Sequence, residues 1–166
     1  SQTNIHNYGC GTDHGLTQES YEDLLLQYQE DIQQNIYTTR DIQFVRVQFH
    51  IVRSDNGSGG LDEAALWPVL EDMNEDFFPS GLQFYHPEAV NEIWDSQYVI
   101  CENDTELNTL RSIYNTPNVL DIFIVSSATS GDTELCGIST FTFMSPSYQG
   151  IVITTSCWNN ETGSHE

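Results

Sequence analysis

His165 and Glu166, the last two residues of the chain, are of the types that open an H-E-x-x-H pattern. On a helix, histidines at i and i+4 share one face and can hold a zinc ion, and the glutamate between them can take a proton from the metal's water. A lone His-Glu dipeptide carries little weight, because it recurs by accident and chain ends fray; it gains meaning only from the segments before it. Four cysteines, Cys10, Cys101, Cys136 and Cys157, suit an oxidising compartment and can pair in three ways that spacing does not separate. No C-x-x-C occurs, which argues against a structural zinc site of the usual kind. His6 and His14 flank Cys10 and could form a small Cys/His site with it, although surface positions are the commoner reading. His50 reads as a packing or hydrogen-bonding residue of a strand, and His86 precedes Pro87 in a loop. Ser126, Ser127 and Ser130 lack a G-x-S-x-G context, so a serine hydrolase finds no support.

Composition narrows the partners. The 166 residues carry 25 acids against four arginines and no lysine, a net charge of -21. Such a polyanion repels phosphate backbones and anionic lipid, which excludes nucleic acid and membrane surfaces as partners. The acids are scattered, as on a solvated surface in salty or extracellular surroundings; attraction of cationic substrates or of calcium is the sharper alternative. Hydrophobic residues at 38% are enough for a core and exclude a wholly disordered chain. No apolar run approaches the roughly 20 residues that span a bilayer. The opening SQTNIHNYG has neither the charged nor the apolar region of a signal peptide, so the expectation is that any such peptide is already absent.

The elements that must position these residues follow from periodicity. Tyr21, Leu24, Leu25, Tyr28 and Ile32 predict an amphipathic helix over 18–35, with Thr17 as its cap. Phe44 to Val52 alternates β-branched and aromatic residues with Arg46, Gln48 and His50, predicting a strand over 43–53. A turn at 55–60 leads to a helix over 61–77, in which Pro68 is expected to cause a kink. A short strand at 82–85 follows, then an ambiguous stretch to 102. A helix over 104–114 is capped by Asn103 or Asp104. Residues 119–125 are nearly all apolar, as in a central strand covered on both faces. A polar loop over 126–134, an alternating edge strand over 137–143 and an apolar strand over 150–155 complete the series. This order predicts a mixed α/β fold, with helices packed on a mixed sheet.

Taken in order, the segments resemble the pappalysin family of metzincin zinc peptidases, which includes the ulilysin-like enzymes. Phe44-Val-Arg-Val-Gln-Phe-His-Ile-Val52 is similar to the family's opening strand, and Met73-Asn-Glu-Asp-Phe77 to the L-N-x-D-F end of its first helix. Gly81-Leu-Gln-Phe84, Asn118 to Val125, Gly137-Ile-Ser-Thr-Phe141 and Gly150-Ile-Val-Ile153 resemble its later strands. Thr162-Gly-Ser-His-Glu166 resembles the T-x-x-H-E that opens the active-site helix. The resemblance covers about residues 42–166.

The resemblance implies a secreted zinc endopeptidase. Its fold would be a twisted, mixed five-stranded sheet with an antiparallel edge strand and packed helices, preceded by a helical pro-segment. Residues 1–40 would be the pro-segment and 41–166 the upper, N-terminal subdomain of the catalytic domain. His165 would be a zinc ligand and Glu166 the general base, while Gly137, Ile138, Ser139, Thr140 and Phe141 would form the upper rim, binding a protein or peptide substrate by strand addition. The family signature continues to two more histidines and a methionine-containing turn. The chain as given ends before these, so it is expected to be inactive alone and to lack the lower subdomain, which carries the family's calcium sites. Tyr8-Gly-Cys-Gly-Thr12 is similar to the family's R-C-G-T segment, with Gly9 in place of Arg; this implies that Cys10 could ligate the zinc and hold the enzyme latent, the alternative being a disulfide. The competing reading is a secreted acidic interaction module without catalytic activity.

Overall fold

The computed structural model describes residues 9–12, 42–140 and 145–161. The predicted helix over 18–35, and with it most of the proposed pro-segment, lies outside the described residues.

Gln43–Arg53 forms a long strand, β2, over the span the alternation predicts. Its odd residues Val47, Phe49 and Ile51 are fully buried in one apolar cluster, together with Leu61, Leu66, Ile122, Ile124 and Trp158. Val52 faces the other way, into a second cluster with Leu107, Leu110, Phe123, Val125, Ile138 and Val152. A strand buried on both faces is the middle of a layered fold, and each of these side chains contributes about 1.5–3 kcal/mol by leaving water. The strand Leu120–Val125 (β6) pairs parallel with β2, Val47 opposite Leu120 and Ile51 opposite Ile124. Ile151–Thr154 (β9) continues the sheet parallel to β6. Thr133–Ser139 (β8) closes this body antiparallel to β9, with Ile138 opposite Val152. On the far edge of β2, Leu82–Tyr85 (β3) and Asn91–Trp94 (β4) lie end to end, both parallel to it.

The run β3-β2-β6-β9-β8 combines four parallel strands with the antiparallel β8, but the sheet is larger than the five strands expected and β8 is not its edge strand, since further strands pair with it on the side away from β9. Smaller strands extend it: Gly9–Thr12 (β1) beside β8, Ser127–Ser130 (β7) in a hairpin with β8, and Ile100–Cys101 (β5) beside β7. The fold is mixed α/β, with nine strands among the described residues.

The helices pack on opposite faces. Leu66–Phe77 (α1) starts five residues later than the periodicity predicts, because Asp62 accepts a hydrogen bond from the Ala64 amide and starts a 3-10 turn over Glu63–Ala65. Pro68 is the third residue of α1, where an amide N–H has no intrahelical acceptor, so its ring fits the first turn instead of interrupting the interior. Asp104–Tyr114 (α2) is capped by Asn103, whose Oδ1 accepts from the Glu106 amide at 3.0 Å; Glu106 returns a carboxylate oxygen to the Glu102 amide. The last described element, Thr155–Glu161 (α3), continues directly from β9, where the sequence reading leaves no element.

Two other expectations change. The polar loop over 126–134 is largely β7 and its hairpin turn at Gly131, which has a φ of 58°. The rim strand begins at Thr133, not Gly137, since a hairpin partner turns polar Thr133 and Glu134 into ladder residues. Residues 141–144 lie outside the described residues, so the predicted far end of that strand does too.

Candidate active-site rim

The residues of the predicted rim gather along β8. Gly137, Ile138 and Ser139 are its last three residues. Thr140 follows and donates its hydroxyl to the Tyr148 carbonyl at 3.1 Å; Phe141 lies outside the described residues. Gly137 has a local cause, for a Cβ there would lie 3.0 Å from the Val152 carbonyl oxygen, so a side chain would push β8 away from β9.

The outer edge of β8 is occupied by the chain's own residues. β1 runs parallel along it, with Cys10 opposite Gly137, Gly11 opposite Ile138 and Thr12 opposite Ser139. The register shifts between Gly9 and Cys10. Thus the predicted binding edge and the proposed latency segment, more than 120 positions apart in the sequence, form one ladder.

Three ties fix β8 from within. A disulfide joins Cys136 to Cys157, stapling the strand to α3 across a separation of 21 residues. Thr154 on β9 donates its hydroxyl to the Cys136 carbonyl at 3.2 Å. Arg111 on α2, only 1% exposed, donates Nη2 to the Ile138 carbonyl at 3.3 Å and Nη1 to Asn108 Oδ1 at 3.0 Å. Cys101 is free and fully buried, its thiol against the Tyr98 carbonyl. Burial and the nearby Glu106 carboxylate push this thiol up to about 12, which keeps it protonated and unreactive.

His165 and Glu166, the predicted zinc ligand and base, lie outside the described residues, and of Cys10 only the backbone is described. Among the described residues no group of three or more histidine, cysteine, aspartate or glutamate side chains could hold a metal. The histidines that are described are engaged elsewhere. His86 places Nδ1 2.9 Å from the Val47 carbonyl, with its ring against Phe49 and Trp67.

His50 belongs to a buried polar centre. Its Nε2 lies 2.7 Å from Asp121 Oδ1, Asn91 Nδ2 lies 2.9 Å from its Nδ1, and its ring stacks on Phe123 at 4.3 Å. With Asn91 donating, Nδ1 accepts and the Nε2 proton points at Asp121. The other oxygen of Asp121 accepts from the Thr116 amide at 2.8 Å and from Asn115 at 3.3 Å. Both side chains are at most 2% exposed, so the set locks β2 to β6 and to the loop after α2. His50 has the hydrogen-bonding role its strand position suggests. Asp121 was hidden inside an apolar run; the one signal was a lone carboxylate two residues from Phe123 in a strand otherwise fit for complete burial. A cleft of about 380 Å³, lined by Gln48, His50, Asn91 and Tyr114 among others, opens beside this centre.

Arg46 pairs with Glu88, and Arg53 pairs with Glu92 at 2.9 Å. No protein-family model matches this chain, and no curated protein matches it.

Proposed function

We propose that this chain is the upper half of the catalytic domain of a secreted zinc endopeptidase, in a latent form. The observation that carries the reading is the side of β8 away from β9: along Leu135 to Ser139 this antiparallel strand holds an extended segment, residues 9–12, by main-chain pairing. An edge that accepts a strand in this way is what a protease rim needs, since backbone bonds give general affinity for extended peptides. In the latent form β1 occupies that edge and a substrate must displace it. The Cys136–Cys157 disulfide supports folding in an oxidising compartment.

The donor set fits zinc in kind. His165 offers an imidazole and Cys10 a thiolate, both good zinc ligands, and Glu166 stands beside His165 as a base. It does not fit in number, because a three-histidine site needs two more ligands, which the reading assigns to residues following Glu166. Zinc, when bound, supplies Lewis-acid activation of water. The residues of this chain bind and align the peptide along Gly137, Ile138 and Ser139, and Glu166 takes up and returns a proton.

The test is the sequence that follows Glu166, with zinc content measured on protein that includes it. The expected continuation is x-x-H-x-x-G-x-x-H with about one zinc per chain. A continuation without those histidines removes the protease reading and leaves an acidic interaction module.

A further inference from the structure

We infer that Arg111 is a positioning residue for the substrate edge: from beneath β8 it holds the Ile138 carbonyl, and through that peptide group it orients and polarises the Ser139 N–H that an extended peptide would use. This rests on the reading of β8 as the substrate rim.

Arg111 stands apart from the other described arginines. Arg46 and Arg53 meet glutamates near the surface, whereas Arg111 is 1% exposed in the last turn of α2. A guanidinium in that position loses its hydration, and an apolar side chain of similar volume would fill the space without that cost. The negative end of the helix dipole offsets part of the loss, but it does not explain where the fork points. Asn108, one turn earlier, accepts from Nη1 and fixes the guanidinium plane. Nη2 then reaches the carbonyl of Ile138, the middle residue of the rim.

The direction of that carbonyl gives the contact its consequence. The Cys136 carbonyl accepts from Thr154 on β9. Carbonyls two residues apart in a strand point the same way, so that of Ile138 also turns towards β9. The C=O and N–H of one planar peptide unit point in opposite directions, and the Ser139 N–H therefore points to the outer edge. Thr12 is the residue in register with Ser139 there. A cationic donor on the carbonyl draws charge from the peptide unit and makes its N–H a stronger donor.

The test compares Arg111→Met and Arg111→Lys with the wild type in protein that extends past Glu166 and lacks residues 1–40, using one fluorogenic peptide substrate. In Arg111→Met the expected result is a KM raised about tenfold with kcat within about twofold, the pattern of lost uniform binding. The Ser139 amide proton should move upfield in the NMR spectrum, and Arg111→Lys should recover part of both effects. A folded Arg111→Met with unchanged KM, or with an unmoved Ser139 amide, overturns the proposal. Should Arg111→Met not fold, Asn108→Ala removes the acceptor that orients Nη1 while keeping the charge; a smaller rise in KM is expected, and no rise overturns the proposal. If the wild type without residues 1–40 cleaves no peptide, the protease reading fails, while the Ser139 amide of Arg111→Met still decides the coupling: an upfield shift supports it and no shift ends it.

Discussion

Cys10 stands opposite Gly137 in a parallel ladder. A parallel strand beside β8 satisfies the amides and carbonyls that a substrate would need, so it is a competitive occupant whatever its thiol does. Deleting residues 1–12 should free that edge. The amides of β8 that face outward should then exchange with solvent at least about tenfold faster, a loss of about 1.4 kcal/mol in local protection, as read by hydrogen exchange. Unchanged exchange would mean that β1 does not hold the edge in solution. Cys10→Ala alone should leave exchange nearly unchanged but permit earlier activation; unchanged latency would remove the thiol from the account.

Cys101 should be silent to thiol reagents in the folded protein. It is fully buried, and its pKa is pushed up to about 12 from an ordinary 9.0. Titration with a disulfide reagent should label it only on unfolding, and rapid labelling of the native state would contradict the burial. The linkage has a definite sign. The folded state holds this proton more tightly than the unfolded chain, so the stabilisation is complete below pH 9 and is lost as pH rises from 9 to about 12. Tyr98 and Tyr114 are raised chiefly by burial as well, and act in the same direction above pH 10.

Asp121→Asn should destabilise the sheet by about 2–3 kcal/mol in urea denaturation. The new amide can still offer His50 an oxygen, but it turns a donor toward the Thr116 amide and Asn115, which are donors too. A variant as stable as wild type would show that Asp121 is not the acceptor joining these groups.

Replacing Cys136 and Cys157 by serine should cost about 3 kcal/mol, the loop-closure value for a link of this length. The two are 21 residues apart and tie β8 to α3. Calorimetry on oxidised wild type and the double variant checks it, and equal melting temperatures would contradict the staple.

Much of this fold was legible because its signals are local. β2 alternates β-branched and aromatic residues along its length, and Asn103 caps α2 by an interaction within three residues. What sequence reading missed depends on distant partners. Ser127–Ser130 has the composition of a loop and becomes a strand only because β8 and β5 lie on either side of it. α3 follows β9 without a turn signal, in a stretch whose Trp158 is buried against Phe49, more than 100 positions away. The pairing of Cys136 with Cys157 was one of three options, and packing alone selects it. For the site, the sequence pointed to β8 correctly as antiparallel to its neighbour β9 but wrongly as an edge strand: its pairing with β7 and β1 depends on distant segments, and nothing in Gly-Cys-Gly-Thr specifies the ladder it joins.

The most direct test is hydrolysis of a fluorogenic peptide by zinc-loaded protein that extends past Glu166 and lacks residues 1–40, alongside its Glu166→Ala variant. The account predicts cleavage that a chelator abolishes and that the substitution lowers by about 10²–10⁴-fold, the usual worth of a general base. Cleavage at the wild-type rate in Glu166→Ala, or no cleavage by the zinc-loaded protein once residues 1–40 are removed, would contradict it.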